Sequence, residues 1–128
     1  MLNGLNGLKH ISLYTYDIDA SVEFYRDVIG MEIASAPDER NVYLKSHGTV
    51  LALHERKSTR LAKAPQVLDH IAFTLDNVSD VMVAHLELKH TGLTCTDINK
   101  HHDGSVGFYT YDPCGNSVEI IYLGGVYA

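Results

Sequence analysis

Residues 8–15 read LKHISLYT, and sixty positions later residues 68–75 read LDHIAFTL. Each segment predicts a short strand with a histidine near its start, at His10 and at His70. A pattern that recurs at about half the chain length indicates two copies of one structural unit. We therefore expect a duplicated fold in which His10 and His70 occupy equivalent positions and face the same cavity.

Each half then continues with a helix and three further strands. Apolar residues at helical spacing predict one helix at 20–29, ended by Gly30, and another that is capped by Ser79 and ended by Gly92. The predicted strands are 31–34, 41–45 and 49–54 in the first half, and 93–96, 107–111 and 117–123 in the second. Each half is therefore βαβββ.

This order of elements resembles the vicinal oxygen chelate superfamily over essentially the whole chain. The resemblance implies an α+β fold in which two βαβββ modules pair into a curved, cup-like mixed sheet around a metal. We expect one such domain over residues 1–128, with module one at about 8–55 and module two at about 67–123. The polar segment 56–66 between them carries Pro65 and is predicted to be a linker.

Composition and charge limit the class of partner. The chain has 128 residues, is 45% hydrophobic and 20% charged, and carries a formal net charge of -6. The chain has no run of lysine or arginine. Nucleic acid and anionic membranes are therefore disfavoured as binding partners, and a small molecule is favoured. Its start lacks the features of a signal peptide, and Cys95 and Cys114 lack metal-type spacing, so we expect a cytoplasmic protein with reduced thiols.

The repeat also suggests a set of metal ligands. Aligning residues 48–52 with residues 115–119 pairs Ala52 with Glu119, so the equivalent positions are His10, Ala52, His70 and Glu119. Two histidines and one carboxylate form the facial triad that is typical of non-haem Fe(II) oxygenases. A histidine on a strand is more often an ordinary core residue. Glu119, however, lies in an apolar strand, where a carboxylate is costly unless it is paired or metal-bound.

A longer motif in the second half resembles the signature of the extradiol dioxygenases. It consists of Asn99-Lys100-His101, Phe108-Tyr109, Asp112-Pro113-Cys114-Gly115 and Glu119. The resemblance implies that His101 and Tyr109 hydrogen-bond the oxygens of a catechol. His102 offers a competing register, but that register puts Lys100 where the signature has a small or aliphatic residue.

His54 is the third candidate for catalysis. It follows Ala52 by two residues, so both lie on one face of a strand, and it precedes His70 by 16 residues. The resemblance gives a histidine in this region the role of acid-base catalyst beside O₂. The alternative is a polar histidine at a strand end. Candidate wall residues for an aromatic ring are Phe73, Phe108 and Tyr111, each of which could equally be a core residue.

The resemblance therefore implies an Fe(II)-dependent extradiol dioxygenase that cleaves a catechol-type ring with O₂ and incorporates both oxygen atoms. Mn(II) replaces Fe(II) in some relatives with the same ligands, and a homodimer or higher homo-oligomer is expected. One alternative is a glyoxalase-type lyase or isomerase, which would use a fourth ligand where Ala52 stands. Another is a non-catalytic, antibiotic-sequestering protein, which needs no triad. The sequence assigns no role to His47, His85, His90 and His102.

Overall fold

The repeated strand-helix pattern produces two units, Met1–Pro65 and Gln66–Ala128, in the computed structural model. The structure describes residues 1–56 and 68–125. Apart from Arg56, the predicted linker 56–66 lies outside the described residues. No helix among those that are described has the length and apolar character needed to cross a bilayer.

The first unit is a four-stranded mixed sheet with one helical segment. Its strands are β1 (His10–Thr15), β2 (Glu32–Asp38), β3 (Asn41–Ser46) and β4 (Thr49–Glu55). Helix α1 (Ile18–Glu23) continues into a π-helical turn, Phe24–Val28. The strand order is β1-β4-β3-β2, with β1 parallel to β4 and the other neighbours antiparallel.

The helix of the first unit begins two residues earlier than predicted because two carboxylates cap it. The Asp17 side chain accepts a hydrogen bond from the Ala20 amide at 3.0 Å, and Glu55 accepts one from the Ile18 amide at 2.9 Å. The predicted helix 20–29 ends in the π-helical turn, where the amide of Ile29 bonds the carbonyl oxygen of Phe24 at 3.0 Å.

The second unit repeats the first. Its elements are β5 (His70–Thr74), α2 (Val78–His90), β6 (Asn99–Lys100), β7 (Val106–Tyr111) and β8 (Ser117–Tyr122). The strand order is β5-β8-β7-β6, and β5 is parallel to β8. The prediction of two βαβββ modules is therefore confirmed, and the two orders correspond strand by strand.

Two details of the second unit differ from the sequence prediction. Ser79 lies inside α2, and Asn77 is the N-cap residue; its side chain bonds Asp80 at 2.9 Å. The predicted strand 93–96 is reduced to a single bridge between Cys95 and Thr110. The edge strand β6, which forms instead, is only two residues long and has no apolar alternation to mark it.

The turn between β7 and β8 is formed by the Asp112-Pro113-Cys114-Gly115 segment of the motif. Gly115 has a φ of +83°, which favours glycine, and its amide bonds the carbonyl oxygen of Asp112 at 2.9 Å. One carboxylate oxygen of Asp112 accepts the amides of Cys114 and Asn116 at 2.9 and 2.8 Å. This buried carboxylate fixes the register in which β8 leaves the turn.

The strand registers support the equivalence of Ala52 and Glu119. In the first unit Ser12 of β1 pairs with Ala52, and in the second unit Ala72 of β5 pairs with Glu119. Ser12 and Ala72 each follow the strand histidine by two residues. Ala52 and Glu119 therefore occupy the same place in their respective sheets.

Gly107 of β7 gives a test of the close packing between β7 and β8. An added Cβ would lie 2.8 Å from the carbonyl oxygen of Ile120 and 3.1 Å from Cβ of Ile121. Because backbone must move, we expect Gly107→Ala to lower the free energy of unfolding by about 1–3 kcal/mol. Gly125→Ala is the matched control, since nothing lies within 4 Å of its added Cβ. Urea unfolding measures both variants, and equal stabilities would contradict the expectation.

Candidate functional site

The six predicted site residues divide between the two units. His10 and His54 belong to the first unit, where they lie on β1 and β4. His70, His101, Tyr109 and Glu119 belong to the second unit, and the structure brings His70 and Tyr109 against the carboxylate of Glu119. The second unit therefore holds most of the predicted chemistry.

Glu119 lies at the centre of β8 and is 8% exposed. It pairs with Ala72 on one side and with Tyr109 on the other. Its Oε1 lies 3.6 Å from Nε2 of His70, and its carboxylate accepts a hydrogen bond from the Tyr109 hydroxyl. A buried carboxylate needs a donor such as the Tyr109 hydroxyl, because leaving water costs it several kcal/mol.

His70 is oriented by the residue before it. Its Nδ1 lies 2.6 Å from Oδ2 of Asp69, so this nitrogen donates a hydrogen bond to the carboxylate. In the neutral imidazole the proton then resides on Nδ1, and the Nε2 lone pair is directed towards Glu119. Metal-binding histidines typically have this arrangement, in which a carboxylate holds the ring and strengthens it as a ligand.

The geometry of His70 and Glu119 fits two ligands of one divalent ion. Adjacent ligands about 2.1 Å from an octahedral ion stand about 3.0 Å apart, so the observed 3.6 Å needs only a small closure. A nitrogen and a carboxylate oxygen suit Fe(II), Mn(II) and Zn(II). Within either unit, the described residues form no group of three His, Cys, Asp or Glu side chains that could together hold a metal ion. The third predicted donor, His10, is an exposed residue of the first unit.

Tyr109 is a hydrogen-bond donor that lies against the side chains of His70 and Glu119. Its ring meets that of His70 edge to face, with centroids 5.3 Å apart. Burial raises the pKa of the Tyr109 hydroxyl, and the hydrogen bond and negative charge of Glu119 raise it further, with a smaller contribution from Asp69. The phenol therefore keeps its proton at neutral pH.

An open cavity of about 480 Å³ lies beside Tyr109 and Glu119. Its lining is made of Thr96, Asp97, Ile98, Asn99, His101, Gly107, Phe108, Tyr109 and Glu119. The volume lies in the range of small-molecule sites. Of the candidate wall residues, Phe108 lines this cavity, whereas Phe73 and Tyr111 do not.

His101 reaches the cavity from a tight turn. Its amide donates to the carbonyl oxygen of Ser105 at 2.9 Å, and the amide of Gly104 donates to the carbonyl oxygen of His101 at 3.1 Å. The Asp103 carboxylate accepts the amide and the hydroxyl of Ser105, and these bonds hold its pKa below the usual range. His101 is thus carried by a braced turn, and the neighbouring His102 is exposed and does not line the cavity.

His54 has a partner that the sequence did not suggest. Its Nδ1 lies 2.6 Å from Oδ1 of Asn41, while Nδ2 of Asn41 donates to both carboxylate oxygens of Asp38 at 2.8 and 2.9 Å. Because the amide nitrogen of Asn41 donates to Asp38, the amide oxygen of Asn41 faces His54 and accepts a hydrogen bond from Nδ1. His54 therefore presents Nε2 as a proton acceptor.

His10 and His54 lie at different heights on the first sheet. His10 pairs with Val50, four residues before His54, which corresponds to about 13 Å along the strand. Ala52 lies between these two levels, is 1% exposed and has no donor atom. Strand alternation places all three residues on one face of the sheet.

Sequence reasoning missed the contribution of His85 on α2. Its Nε2 donates to the carbonyl oxygen of Thr96 at 2.9 Å, and its ring packs on Phe108 with centroids 4.9 Å apart. Thr96 also bonds Tyr109 twice, through its amide at 2.9 Å and its hydroxyl at 2.8 Å. Helix α2 thereby holds Thr96, which lines the cavity, against β7. Only the loop conformation brings positions 85 and 96 together, so no sequence spacing could signal this contact.

Comparisons with known proteins give one family and several activities. Residues 7–120 match the family model described as Glyoxalase/Bleomycin resistance protein/Dioxygenase superfamily. Metallothiol transferase FosB of Staphylococcus haemolyticus is 34% identical over 73 residues, which are 57% of this chain and 52% of that protein. Biphenyl-2,3-diol 1,2-dioxygenase of Paraburkholderia xenovorans is 28% identical over 125 residues, covering 92% of this chain and 41% of that protein.

A solved structure of lactoylglutathione lyase from Agrobacterium tumefaciens resembles the chain with a TM-score of 0.79. It is 26% identical and covers 98% of this chain and 99% of its own. The chain spans about half or less of the length of the curated relatives above. The proteins that the chain resembles include a transferase, a dioxygenase and a lyase. The choice among these activities therefore depends on the side chains of the site.

The role of His85 can be tested with two substitutions. His85→Leu removes the donor to Thr96, so we expect the free energy of unfolding to fall by about 1–2 kcal/mol. Hydrogen exchange of the Tyr109 amide should also accelerate, because this amide bonds Thr96. His85→Gln keeps an N–H donor near the position of Nε2 and should retain most of the protection. Equal exchange in the two variants would show that the contact does not hold the segment.

Proposed function

Because the chain belongs to the glyoxalase/bleomycin resistance protein/dioxygenase superfamily, we propose that it is an Fe(II)-dependent extradiol dioxygenase acting on a catechol-type ring. One observation carries this proposal. His101, Tyr109 and Glu119, which the extradiol-like motif supplies, line a single cavity of the second unit. A ring bound there would meet a proton-holding hydroxyl, an imidazole and a ligand carboxylate.

In this proposal the metal is held by His70 and Glu119 together with His10. His10 stands on β1 where His70 stands on β5, so the proposed ligand set draws on both modules. When bound there, Fe(II) would supply the electron-transfer chemistry by which a catechol-type ring reacts with O₂, and both atoms of O₂ would enter the ring-opened product. Mn(II) suits the same donors.

Tyr109 and His101 are assigned to the substrate oxygens. The raised pKa of Tyr109 keeps its hydroxyl protonated, so on turning away from Glu119 the hydroxyl can donate its one hydrogen bond to a catechol oxygen that has lost its own proton. His101, which also lines the cavity, can accept the proton released by the catechol or return it to the ring-opened product. Phe108 offers an apolar wall to the ring.

His54 is assigned to proton transfer on the O₂ side. The hydrogen bond from Nδ1 to Asn41 leaves Nε2 to accept and release a proton without rotation of the ring. Asn41 is itself fixed by Asp38, so the imidazole is preoriented.

The competing lyase function meets two obstacles in the described residues. Ala52, the counterpart of Glu119, supplies no fourth metal ligand. The lining of the described cavity contains no lysine or arginine for the carboxylates of a glutathione thioester. Both features favour an open metal site with a ring substrate.

The proposal is tested by loading the protein with Fe(II) without O₂, then adding several catechols and O₂. We expect a yellow ring-fission product, and His70→Ala and Glu119→Ala should lose stoichiometric iron because each removes a ligand. Tyr109→Phe should keep iron and lower kcat by about 10²-fold or more. His102→Ala is the control, since this exposed histidine does not line the cavity.

Absence of product with every catechol, together with turnover of the hemithioacetal of methylglyoxal and glutathione, would replace the dioxygenase by a lyase. Iron content is measured in the same samples. A correctly loaded protein without either activity would leave a binding function as the conclusion.

The role of His54 has a separate test. His54→Phe should retain iron but reduce kcat by about 10²–10⁴-fold, because in this proposal His54 transfers the proton on the O₂ side and phenylalanine cannot carry one. Asn41→Ala should give a smaller decrease, since the imidazole remains and only its orientation is lost. Steady-state ring-fission rates and iron content are measured for both. Normal turnover by His54→Phe would refute the assignment.

A further inference from the structure

The charge of the second-unit cavity is one-sided. Of the nine residues that line it, all within the described range 68–125, two are carboxylates and none is lysine or arginine. The carboxylates are Asp97 and Glu119. A ligand that enters this cavity therefore meets negative charge without an opposing fixed cation in the lining.

The two carboxylates differ in their exposure to solvent and in the groups that they contact. Glu119 is buried and contacts His70 and Tyr109, and in the proposed function its charge is directed at the metal. Asp97 is exposed and lies at the margin of the cavity, in the loop before β6. Its charge is available to a substituent that extends from the ring towards solvent.

Both flanks of Asp97 are anchored, so its position relative to the cavity is defined. Thr96 before it is held by two bonds to Tyr109 and by the bond from His85. Asn99, two residues after it, pairs with Gly107 in the β6–β7 ladder. A charge on such a braced segment needs little rearrangement to act on a ligand.

The neighbouring basic groups do not cancel this charge within the cavity. Lys100 pairs with Val106, and neither residue lines the cavity, whereas Asn99 and Gly107 both do. Since cross-strand partners share a face, Lys100 lies on the other side of the ladder. His101 does line the cavity, so the Asp97 variants are compared at one fixed pH, at which any charge on His101 is common to all of them.

We propose that Asp97 determines substrate specificity, selecting catechol-type rings that carry an ammonium substituent over rings that carry a carboxylate. The assignment deepens the proposed dioxygenase function and rests on it. The chemical class that results is a ring with vicinal hydroxyls at one end and a cationic side chain at the other. A neutral ring should rank between the cationic and the anionic ones.

The expected effect follows from Coulomb attraction near a surface. Two unit charges about 4 Å apart in water change affinity about fivefold, and attraction of one substituent combines with repulsion of the other. We therefore expect about a tenfold preference or more for the cationic ring over the anionic ring. Because the groups are exposed, the preference should shrink as the salt concentration rises from about 0.05 M to about 1 M.

The experiment compares three probes of similar shape: 4-methylcatechol, 3,4-dihydroxyphenylethylamine and 3,4-dihydroxyphenylacetate. Affinity for the Fe(II)-loaded protein is measured by calorimetry without O₂, and kcat/KM is then measured with O₂. Asp97→Asn should abolish the charge preference, and Asp97→Lys should reverse it. Asp76→Asn is the matched control, because this exposed carboxylate of the same unit does not line the cavity and its loss should leave the preference unchanged.

The outcomes separate this assignment from the proposed function. Equal affinities for the three probes, a preference that survives in Asp97→Lys, or no binding by any probe would overturn the role of Asp97. Ring fission of all three with equal kcat/KM would overturn it while leaving the dioxygenase standing. A salt-sensitive preference that reverses in Asp97→Lys without ring fission would support the charge selection and refute the dioxygenase.

Discussion

The buried carboxylate of Glu119 is the constraint around which the second unit is organised. A carboxylate removed from water loses several kcal/mol of hydration, which must be offset by partners of good geometry. The Tyr109 hydroxyl donates to it from β7, while the lone pair of His70 Nε2 faces it from β5 and the 2.6 Å contact with Asp69 fixes the histidine. The position of Glu119 in turn depends on the Asp112 turn, which sets the register of β8. Turn chemistry and site chemistry are therefore linked through one strand.

The two units show how a repeated backbone supports different chemistry. Ala52 and Glu119 occupy the same register position, yet Ala52 faces Ser12 and Tyr43, whereas Glu119 faces Ala72 and Tyr109. An alanine at this position is stable without polar partners, so the first unit needs no equivalent of His70 held against it. The strands are determined by backbone pairing and apolar alternation. The site is determined by a few polar side chains placed on equivalent backbone positions.

This division explains which features the sequence could predict. Strand alternation and the helix-ending glycines predicted both βαβββ units, and the motif around Tyr109 and Glu119 predicted neighbours that do share a cavity. The π-helical turn has no such signal, because its bond from Ile29 to Phe24 depends on how the segment packs. The bond from His85 to Thr96 was equally hidden, since a loop conformation creates it. Local periodicity is written in the sequence, while contacts made by loops and caps depend on the assembled unit.

The hydrogen-bond partners of His70 and His54 give a physical basis for assigning them different roles. Each imidazole donates a hydrogen bond from Nδ1 to an oxygen 2.6 Å away, so each ring keeps Nε2 for another partner. The partner of His70 is the carboxylate of Asp69, and a charged acceptor strengthens an imidazole as a metal ligand. The partner of His54 is the neutral amide of Asn41. The amide fixes the ring but does not titrate, so it takes no part in proton exchange at Nε2. The same fixed orientation would serve both roles of the proposed function, metal binding by His70 and proton transfer by His54, and the two rings differ in the charge of a single neighbouring oxygen.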